Sequence, residues 1–450
     1  MKSEIRSAWV AFLGTVFVLC GVVSGAETIA RLKVVAPKDD RVIVPIDNVL
    51  GVRKQEVYFA DVPVHGVVEL PKRLAGAPLE EIRVKTTPVW SATFRQTISV
   101  PGQLVRNDEG KTEVWWVVPR LGAGGRLPWT VGVPVKGRPN PDFGPVGSFS
   151  WRDKAGEYLD LLFDGKKVTR YIYGYDTSTE QRTFETYKPF HHVFDANGNR
   201  LTNGPDGVSS YTKKGIRYPH HRGIMIGWNR LMFEGRRHDL WHMREVHQVH
   251  QKFEELTAGP VMARSTALVH WNAEDGKPLL VEYRRTTVYR QSAPTVLMLD
   301  FVTELRAVRG DVLLDGDPEH AGVQYRAHND VAAGAKERKA TYLFHADGID
   351  PRKDRDLPWV AMSYGLKSGR YVVQHMNHPD NPKPTICSAY RDYGRFGAFF
   401  KKEIGRDTSL TLKYRIVVSR GDMPDRETLE ERYIVFADEP KVEVLTLGGR

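Results

Sequence analysis

The first part of the chain alternates apolar and polar residues over short runs, which Pro, Gly and Asp residues separate. Successive side chains of a β-strand point to opposite faces, so a period of two is typical of antiparallel strands with one buried face. The runs are residues 31–35, 42–46, 56–59, 81–85 and 112–118. They predict a small N-terminal β-sandwich domain over residues 27–127.

A stretch rich in Pro and Gly interrupts this alternation. Residues 128–147 show no periodicity and contain the run Gly137-Arg138-Pro139-Asn140-Pro141. Such residue types favour turns and irregular backbone. We interpret the stretch as a linker between two domains.

Strand patterns resume after the linker. Residues 158–163 and 167–171 flank Asp164-Gly165, a dipeptide that strongly favours a tight β-hairpin. Further strands are predicted at residues 263–270, 279–289, 295–303, 370–375 and 408–418. A helix is predicted at residues 424–433, because Pro and acidic residues fill its first turn. The predicted fold is all-β, with a large two-sheet antiparallel β-sandwich over residues 148–440 that carries a short C-terminal helix.

The N-terminus has the pattern of a cleavable signal peptide. Lys2 and Arg6 precede an apolar run at residues 8–23, and Ser24-Gly25-Ala26 offers the small residues that signal peptidase requires. We predict a signal peptide over residues 1–26 and a periplasmic or secreted bacterial protein without a membrane span in its mature chain. A membrane anchor is the alternative, although the apolar run is short for a spanning helix.

Composition narrows the classes of function. The chain has two cysteines, which exclude a disulfide scaffold and a four-cysteine metal site. Its formal net charge of +10 is scattered in short clusters, and an exported basic protein is expected to meet glycan rather than nucleic acid. A P-loop, a Gly-x-Ser-x-Gly elbow and a complete dinucleotide-binding turn are all missing from the sequence. ATP use, serine hydrolysis and nicotinamide chemistry therefore lose support.

Histidine is concentrated in one part of the chain. Nine of the 15 histidines lie between positions 191 and 270, and imidazole serves as metal ligand, acid or base near neutral pH. The sharpest segment is Pro219-His220-His221-Arg222-Gly223, ahead of an apolar run. On a regular strand only one of the two histidines would face a given cleft. The alternative is a polar pair packed under a loop with satisfied hydrogen bonds.

We hypothesise that two segments supply catalytic residues. His220 or His221 would act as general acid or base, with Glu319 as the complementary group. Arg222 and Arg326 would hold an oxyanion or a carboxylate. A solvated turn is the alternative interpretation of the segment around Glu319.

Other polar residues are predicted to line a substrate pocket, because rigid polar loops on β-scaffolds are where binding sites are usually built. These residues are His192, Trp241, His250, His378, Asn381 and Arg391. For a tryptophan such as Trp241, a place in the core is the alternative.

The sequence does not identify a cofactor. Two histidines, His238 and His242, are four residues apart and others follow, so a divalent metal is one alternative. The spacing matches neither a zinc-site template nor the metalloprotease motif. No metal ligand is assigned.

Several motifs resemble a bacterial family of unknown function that carries the label "methane oxygenase PmoA". The resemblance covers roughly residues 144–437 and rests on Lys188-Pro189-Phe190-His191-His192, Tyr218-Pro219-His220-His221-Arg222-Gly223-Ile224, Asp239-Leu240-Trp241 and Asn377-His378-Pro379-Asp380-Asn381-Pro382. Where that family has Gly-Asp-Thr-Lys-Glu-Gly, this chain reads Gly316-Asp317-Pro318-Glu319-His320-Ala321-Gly322, and this departure leaves the correspondence of Glu319 open. The resemblance implies exported β-rich proteins of uncharacterised activity, associated with carbohydrate-degrading systems. At the level of the fold, the large domain is broadly similar to galactose-mutarotase-type supersandwich proteins.

These observations lead to one main hypothesis and two alternatives. The main hypothesis is an exported carbohydrate-active enzyme that cleaves or isomerises a neutral or anionic sugar or glycan by His/Glu acid–base chemistry. The first alternative is a non-catalytic glycan-binding or cell-surface module. The second is a metal-dependent oxidoreductase, as the label of the similar family suggests.

Overall fold

The computed structural model describes residues 26–38, 58–74, 76–88, 99–134 and 145–445. Over these residues antiparallel strands form one seven-stranded, one four-stranded and two eight-stranded sheets in a sandwich-like arrangement, which confirms the predicted all-β class. The predicted signal peptide, apart from Ala26, and the predicted strand at residues 42–46 lie outside the described residues. In this described part of the chain, no helix is both long enough and apolar enough to cross a membrane.

The N-terminal region forms a seven-stranded sheet around its own core. In spatial order the strands are β2 (Tyr58–Val67), β5 (Thr112–Gly122), β4 (Val100–Arg106), β3 (Val84–Pro88), β6 (Arg126–Pro134), β1 (Ala26–Val35) and β27 (Lys441–Leu445). Trp116 and Trp129 are buried in this core. Strand β27 brings the end of the described chain back to β1, where Val442 pairs with Val34.

The first seven residues of the stretch predicted as a linker, 128–134, belong to a strand. Strand β6 continues to Pro134, and its residues Leu127, Trp129, Val131 and Val133 alternate into the core. The Pro and Gly residues between them obscured this alternation in the sequence. Strand β27 likewise extends past residue 440, where the large domain was predicted to end.

The larger region contains two eight-stranded sheets that pack face to face. The first, here called the site sheet, contains in spatial order β23 (Ile386–Cys387), β24 (Arg395–Phe399), β19 (Ala321–Arg326), β11 (Ile224–Trp228), β10 (Phe190–Val193), β9 (Lys166–Ile172), β8 (Tyr158–Phe163) and β7 (Phe149–Lys154). The second, the back sheet, contains β14 (His247–Ala258), β15 (Met262–Asn272), β16 (Pro278–Tyr289), β17 (Thr295–Ala307), β26 (Ser409–Arg420), β22 (Gly369–Asn377), β21 (Trp359–Leu366) and β20 (Thr341–Phe344).

A small four-stranded sheet extends this sandwich. Its order is β13 (Arg236–His238), β12 (Arg230–Phe233), β18 (Val312–Asp315) and β25 (Lys402–Ile404). Leu231 and Leu314 of this sheet belong to the same buried apolar cluster as Ile226 of the site sheet and Phe301 of the back sheet. The three sheets therefore share one core.

Local signals in the sequence account for several connections. Asp164 and Gly165 join β8 to β9 with φ values of 48° and 77°, the left-handed pair that a tight hairpin requires. Helix α3 (Arg426–Ala437) follows Asp425, whose side chain accepts the N–H of Thr428 at 2.7 Å. Both features confirm predictions. Two shorter helices, α1 (Glu180–Thr186) and α2 (Asn329–Ala333), were not predicted.

Strand β11 shows how the sheet carries loops on its outer face. Ile224, Ile226 and Trp228 point into the core, whereas Met225 packs outside against Trp241. Gly227 also faces outward, and a Cβ added there would lie 2.3 Å from the carbonyl oxygen of Leu240. Only glycine leaves room for the turn after β13 to cross the strand at this point.

Candidate functional site

Three histidines from separate loops meet on the outer face of the site sheet. His220 precedes β11, His242 follows β13 and His320 precedes β19. Their ligating nitrogens lie within 4.8 Å of one another, and in the described part of the chain they are the one group of three or more potential metal ligands. Ring centroids are 4.5 Å apart for His220 and His242, 4.8 Å for His242 and His320, and 5.9 Å for His220 and His320. We call this group the three-histidine cluster.

Asp239 orients His242. One carboxylate oxygen of Asp239 accepts the backbone N–H of His242 at 3.0 Å, which closes the turn. The other oxygen lies 2.9 Å from Nδ1 of His242. Because a carboxylate only accepts hydrogen bonds, Nδ1 carries a proton, and Nε2 is the nitrogen left to bind a metal.

Asp317 orients His320 in the same way. Its Oδ1 accepts the backbone N–H of Glu319 at 2.9 Å and lies 2.8 Å from Nδ1 of His320. Its Oδ2 accepts a hydrogen bond from the side-chain amide of Asn229. The second ring is therefore also held with Nε2 available as a ligand. Asp239-Leu240-Trp241-His242 and Asp317-Pro318-Glu319-His320 are two copies of one Asp-x-x-His turn.

Burial and neighbouring charges set the protonation of these groups. Burial opposes ionisation of Asp317, but hydrogen bonds from His320 and from the N–H of Glu319 outweigh it and hold the pKa of Asp317 below its usual range. Hydrogen bonds from His242 lower the pKa of Asp239 in the same way, again against burial. Both aspartates are therefore carboxylates at neutral pH.

His220 completes the cluster without a carboxylate. Its Nε2 is buried and has no hydrogen-bond partner among the described residues. Burial, followed by the positive charges of His242 and Lys188, lowers the pKa of His220 to about 2. The imidazole is neutral at physiological pH, as a metal ligand must be.

The cluster fits a divalent transition metal in chemistry and nearly in size. Three histidine nitrogens plus one open position form a recurrent catalytic zinc site, and all-imidazole sets also suit copper, iron and nickel. Ligand nitrogens around a tetrahedral ion are about 3.4 Å apart, given metal–nitrogen bonds of about 2.1 Å. The nitrogens here lie within 4.8 Å of one another. Side-chain rotations that move the nitrogens by roughly 1 Å would bring them to the spacing that a bound ion requires.

The structure brings His221 to the cluster as well. Residues 220–222 precede β11 in a turn rather than a strand, so both histidine rings face the same region, with centroids 4.2 Å apart. His221 is buried, and neither of its nitrogens has a hydrogen-bond partner in the described part. Burial, and then the charge of His220, lowers its pKa well below the usual range. Alternation along a strand, assumed from the sequence, does not apply here.

Three further predicted residues lie around the cluster. The ring of Trp241 is 5.7 Å from His221 and 6.0 Å from His320, and its buried Nε1 has no partner in the described part. Glu319 adjoins His320, and its Oε1 accepts from Nε of Arg391 at 2.8 Å. Glu319 and Arg391 are partly exposed and form an ion pair at the rim.

The two predicted arginines lie beneath the site. Arg222 and Arg326 are fully buried. The terminal nitrogens of Arg222 donate to the carbonyl oxygens of Glu185 and Phe184. Those of Arg326 donate to the carbonyl oxygens of Tyr393 and Arg217. These contacts fix loops and argue against the predicted contact with a substrate oxyanion.

Four predicted pocket residues are placed elsewhere. Nδ1 and Nε2 of His192 bond Thr202 and the carbonyl of Pro205, so His192 is a core histidine with satisfied hydrogen bonds rather than a pocket residue. The ring of His250 packs on Tyr173 and Phe253. His378 packs on Phe436, and Asn381 donates to the carbonyl of Lys413. None of these partners belongs to the three-histidine cluster.

The main residues that the sequence reasoning did not assign are His242, His320, Asp239 and Asp317. The repeated Asp-x-x-His spacing was a signal for all four, because this spacing lets one aspartate close a turn and bond the imidazole. Strained backbone is a second marker of the site. Met243, one residue after His242, has φ of 60°.

Comparison with known proteins identifies the family. A family of unknown function, DUF6807, matches residues 158–434, which is more than half of the chain, and the chain belongs to this family. The matched range contains all three histidines of the cluster and both aspartates. No curated protein matches the chain.

Proposed function

We propose that the protein is an exported, metal-dependent enzyme that acts on a sugar or glycan at the three-histidine cluster. The observation that carries the proposal is the convergence of three imidazoles, two of them oriented by aspartate carboxylates. That arrangement is costly to build without a ligand, because Nε2 of His220 is buried within it without a partner among the described residues.

The residues around the cluster suit catalysis by a bound metal. The ion would supply an open coordination position for water or a substrate oxygen. His221, whose ring centroid lies 4.2 Å from that of His220 and 5.7 Å from that of His320, would act beside the ion as a neutral base or hydrogen-bond donor. Glu319 and Arg391 at the rim offer paired acceptor and donor groups for hydroxyl or carboxylate groups of a substrate.

The first experiment measures metal. We expect the full-length protein, loaded with zinc, copper, iron or nickel and desalted, to hold about one ion per chain for at least one of these metals. His242→Ala and His320→Ala are each expected to weaken affinity at least 100-fold, because even loss of an outer-shell partner costs 10- to 100-fold. His247→Ala is the matched control, because His247 lies on β14, outside the cluster, with its Nδ1 3.1 Å from the hydroxyl of Tyr175. Equal metal content in all four proteins would contradict the site.

The second experiment measures turnover. Metal-loaded protein is incubated with neutral, uronic and oxidised oligosaccharides, and products are identified by mass spectrometry. We expect a cleaved or isomerised product that chelation abolishes, and His221→Ala should lose turnover while keeping the metal. Saturable glycan binding without any product would favour the alternative of a binding module.

Metal-dependent oxidation is the second candidate reaction. It is favoured by the same all-imidazole ligand set, which accommodates copper and iron as well as zinc. An oxidised product that requires dioxygen and a redox-active ion would support it. Equal turnover with zinc would exclude it.

A further inference from the structure

Tyr218, two residues before His220, combines exposure with backbone strain. It has φ of 55°, a left-handed value that bulky residues rarely adopt, and 47% of its surface is exposed. Strain of this kind costs about 1–3 kcal/mol and persists where the surroundings enforce it, commonly at binding sites. The combination of an exposed aromatic ring and a strained backbone is therefore typical of a binding residue.

The surroundings of Tyr218 enforce its position. The carbonyl of Arg217 accepts from Arg326 at 3.2 Å, and the backbone N–H of Arg217 donates to Asn329 at 3.0 Å. The same guanidinium of Arg326 donates to the carbonyl of Tyr393. One buried arginine thus ties together the backbones that carry Tyr218 and Tyr393.

The two tyrosines form an aromatic pair at the edge of the cluster. Their ring centroids are 4.7 Å apart, and Arg395 donates to the hydroxyl of Tyr393 at 3.0 Å. The ring of Tyr218 lies 5.7 Å from His221 and 6.4 Å from His220. Tyr393 is buried, so Tyr218 is the member of the pair that a ligand of the metal site can reach.

We propose that Tyr218, backed by Tyr393, forms a stacking subsite for a sugar ring of the substrate. This inference rests on the proposed function, since it places the ring beside the metal site. A sugar presents a flat apolar face and hydroxyl groups at its edge. The aromatic ring suits the face, and the Glu319–Arg391 ion pair, next to His320, suits the hydroxyls.

The test uses metal-loaded, full-length protein and calorimetric binding of hexasaccharides of cellulose, xylan and polygalacturonate. Tyr218→Asn removes the ring but keeps a residue that tolerates left-handed backbone. Tyr218→Phe keeps the ring and removes the hydroxyl. Tyr283→Ala is the matched control, because Tyr283 is 40% exposed and lies on strand β16 of the back sheet.

We expect Tyr218→Asn to raise the Kd of the bound hexasaccharide roughly 3- to 10-fold, the range of a stacking contact. Tyr218→Phe and Tyr283→Ala should stay within about twofold of the wild type, and all variants should keep the same metal content. Wild-type affinity in Tyr218→Asn, or no binding of any hexasaccharide to the wild type, would overturn the subsite.

Failure of the subsite and failure of the enzyme are distinguishable. Metal-dependent turnover with unchanged affinity in Tyr218→Asn contradicts the subsite alone. Weakened glycan binding in Tyr218→Asn without turnover by the wild type supports the subsite and contradicts the enzyme.

Discussion

The chain contains two pairs of consecutive histidines, which have the same sequence pattern but different backbone conformations. His191-His192 lies on strand β10, and His220-His221 lies in the turn that precedes β11. On the strand the rings point to opposite faces, as alternation requires: His191 packs on Tyr171, and His192 bonds Thr202. In the turn the two rings lie side by side, with centroids 4.2 Å apart.

The pairs also differ in how their nitrogens are used. Nε2 of His192 must donate to the carbonyl of Pro205, so Nδ1 accepts from the hydroxyl of Thr202 and the neutral ring is fully satisfied. His191, like His220 and His221, has buried nitrogens without partners in the described part, so the difference in hydrogen bonding between the two pairs lies at His192. The sequence His-His alone therefore does not show whether the two residues lie in the core or in a functional site. The backbone conformation decides between them.

The largest effect expected from this difference is on stability. His192→Ala should lower the free energy of unfolding by about 3 kcal/mol, because it leaves a cavity and strands the hydroxyl of Thr202 and the carbonyl of Pro205. His220→Ala should change it by less than about 1 kcal/mol, because no hydrogen bond of Nε2 is lost.

Urea unfolding of both variants at neutral pH measures this difference. His192→Ala should still bind metal stoichiometrically, whereas His220→Ala should not. Equal losses of stability in the two variants would contradict the division between a structural pair and a site pair.

The fold was more predictable than the site. Alternation and the Asp164-Gly165 hairpin depend on neighbours in sequence, so the all-β class and most strands followed from them. The site depends on three loops that meet only after the sheets form. His220 and His320 are 100 positions apart in the sequence, and no local pattern shows that their rings approach.

The predicted arginines illustrate the same limit. Arg222 and Arg326 were expected to contact substrate. The sequence does not show whether the guanidinium group of an arginine contacts a ligand or a backbone carbonyl. The structure places both under the loops that carry the cluster. Their effect on the site is to position it.

The next effect concerns the oriented histidines. Asp317→Asn keeps the size of the side chain but removes the charge that orients His320 and strengthens it as a ligand. We expect the metal Kd to rise about 10- to 100-fold, which is about 1.4–2.7 kcal/mol. Asp315→Asn is the control, since Asp315 pairs with Arg230 and Lys401 at the protein surface. Competition with a chromogenic chelator measures both variants, and unchanged affinity in Asp317→Asn would show that the aspartate is not an outer-shell partner.

The smallest effect at neutral pH concerns His191, the other half of the structural pair. Burial, and then the charge of Arg284, lowers its pKa to about 3. Because the folded-state pKa lies below the unfolded value of about 6.5, this residue costs no stability above pH 6.5. As the pH falls below 6.5, the unfolded chain takes up a proton that the folded chain refuses, so stability declines by about 1.4 kcal/mol per pH unit until about pH 3.

His191→Phe should therefore flatten the decline of unfolding free energy between pH 6.5 and 5 by about that slope. At pH 7 we expect a gain of at most about 1 kcal/mol, because the ring nitrogens of His191 have no partners among the described residues and their removal loses no hydrogen bond. Urea unfolding at pH 5, 6 and 7 measures both quantities. Parallel pH profiles for the variant and the wild type would mean that burial does not lower the pKa of His191 in the folded protein.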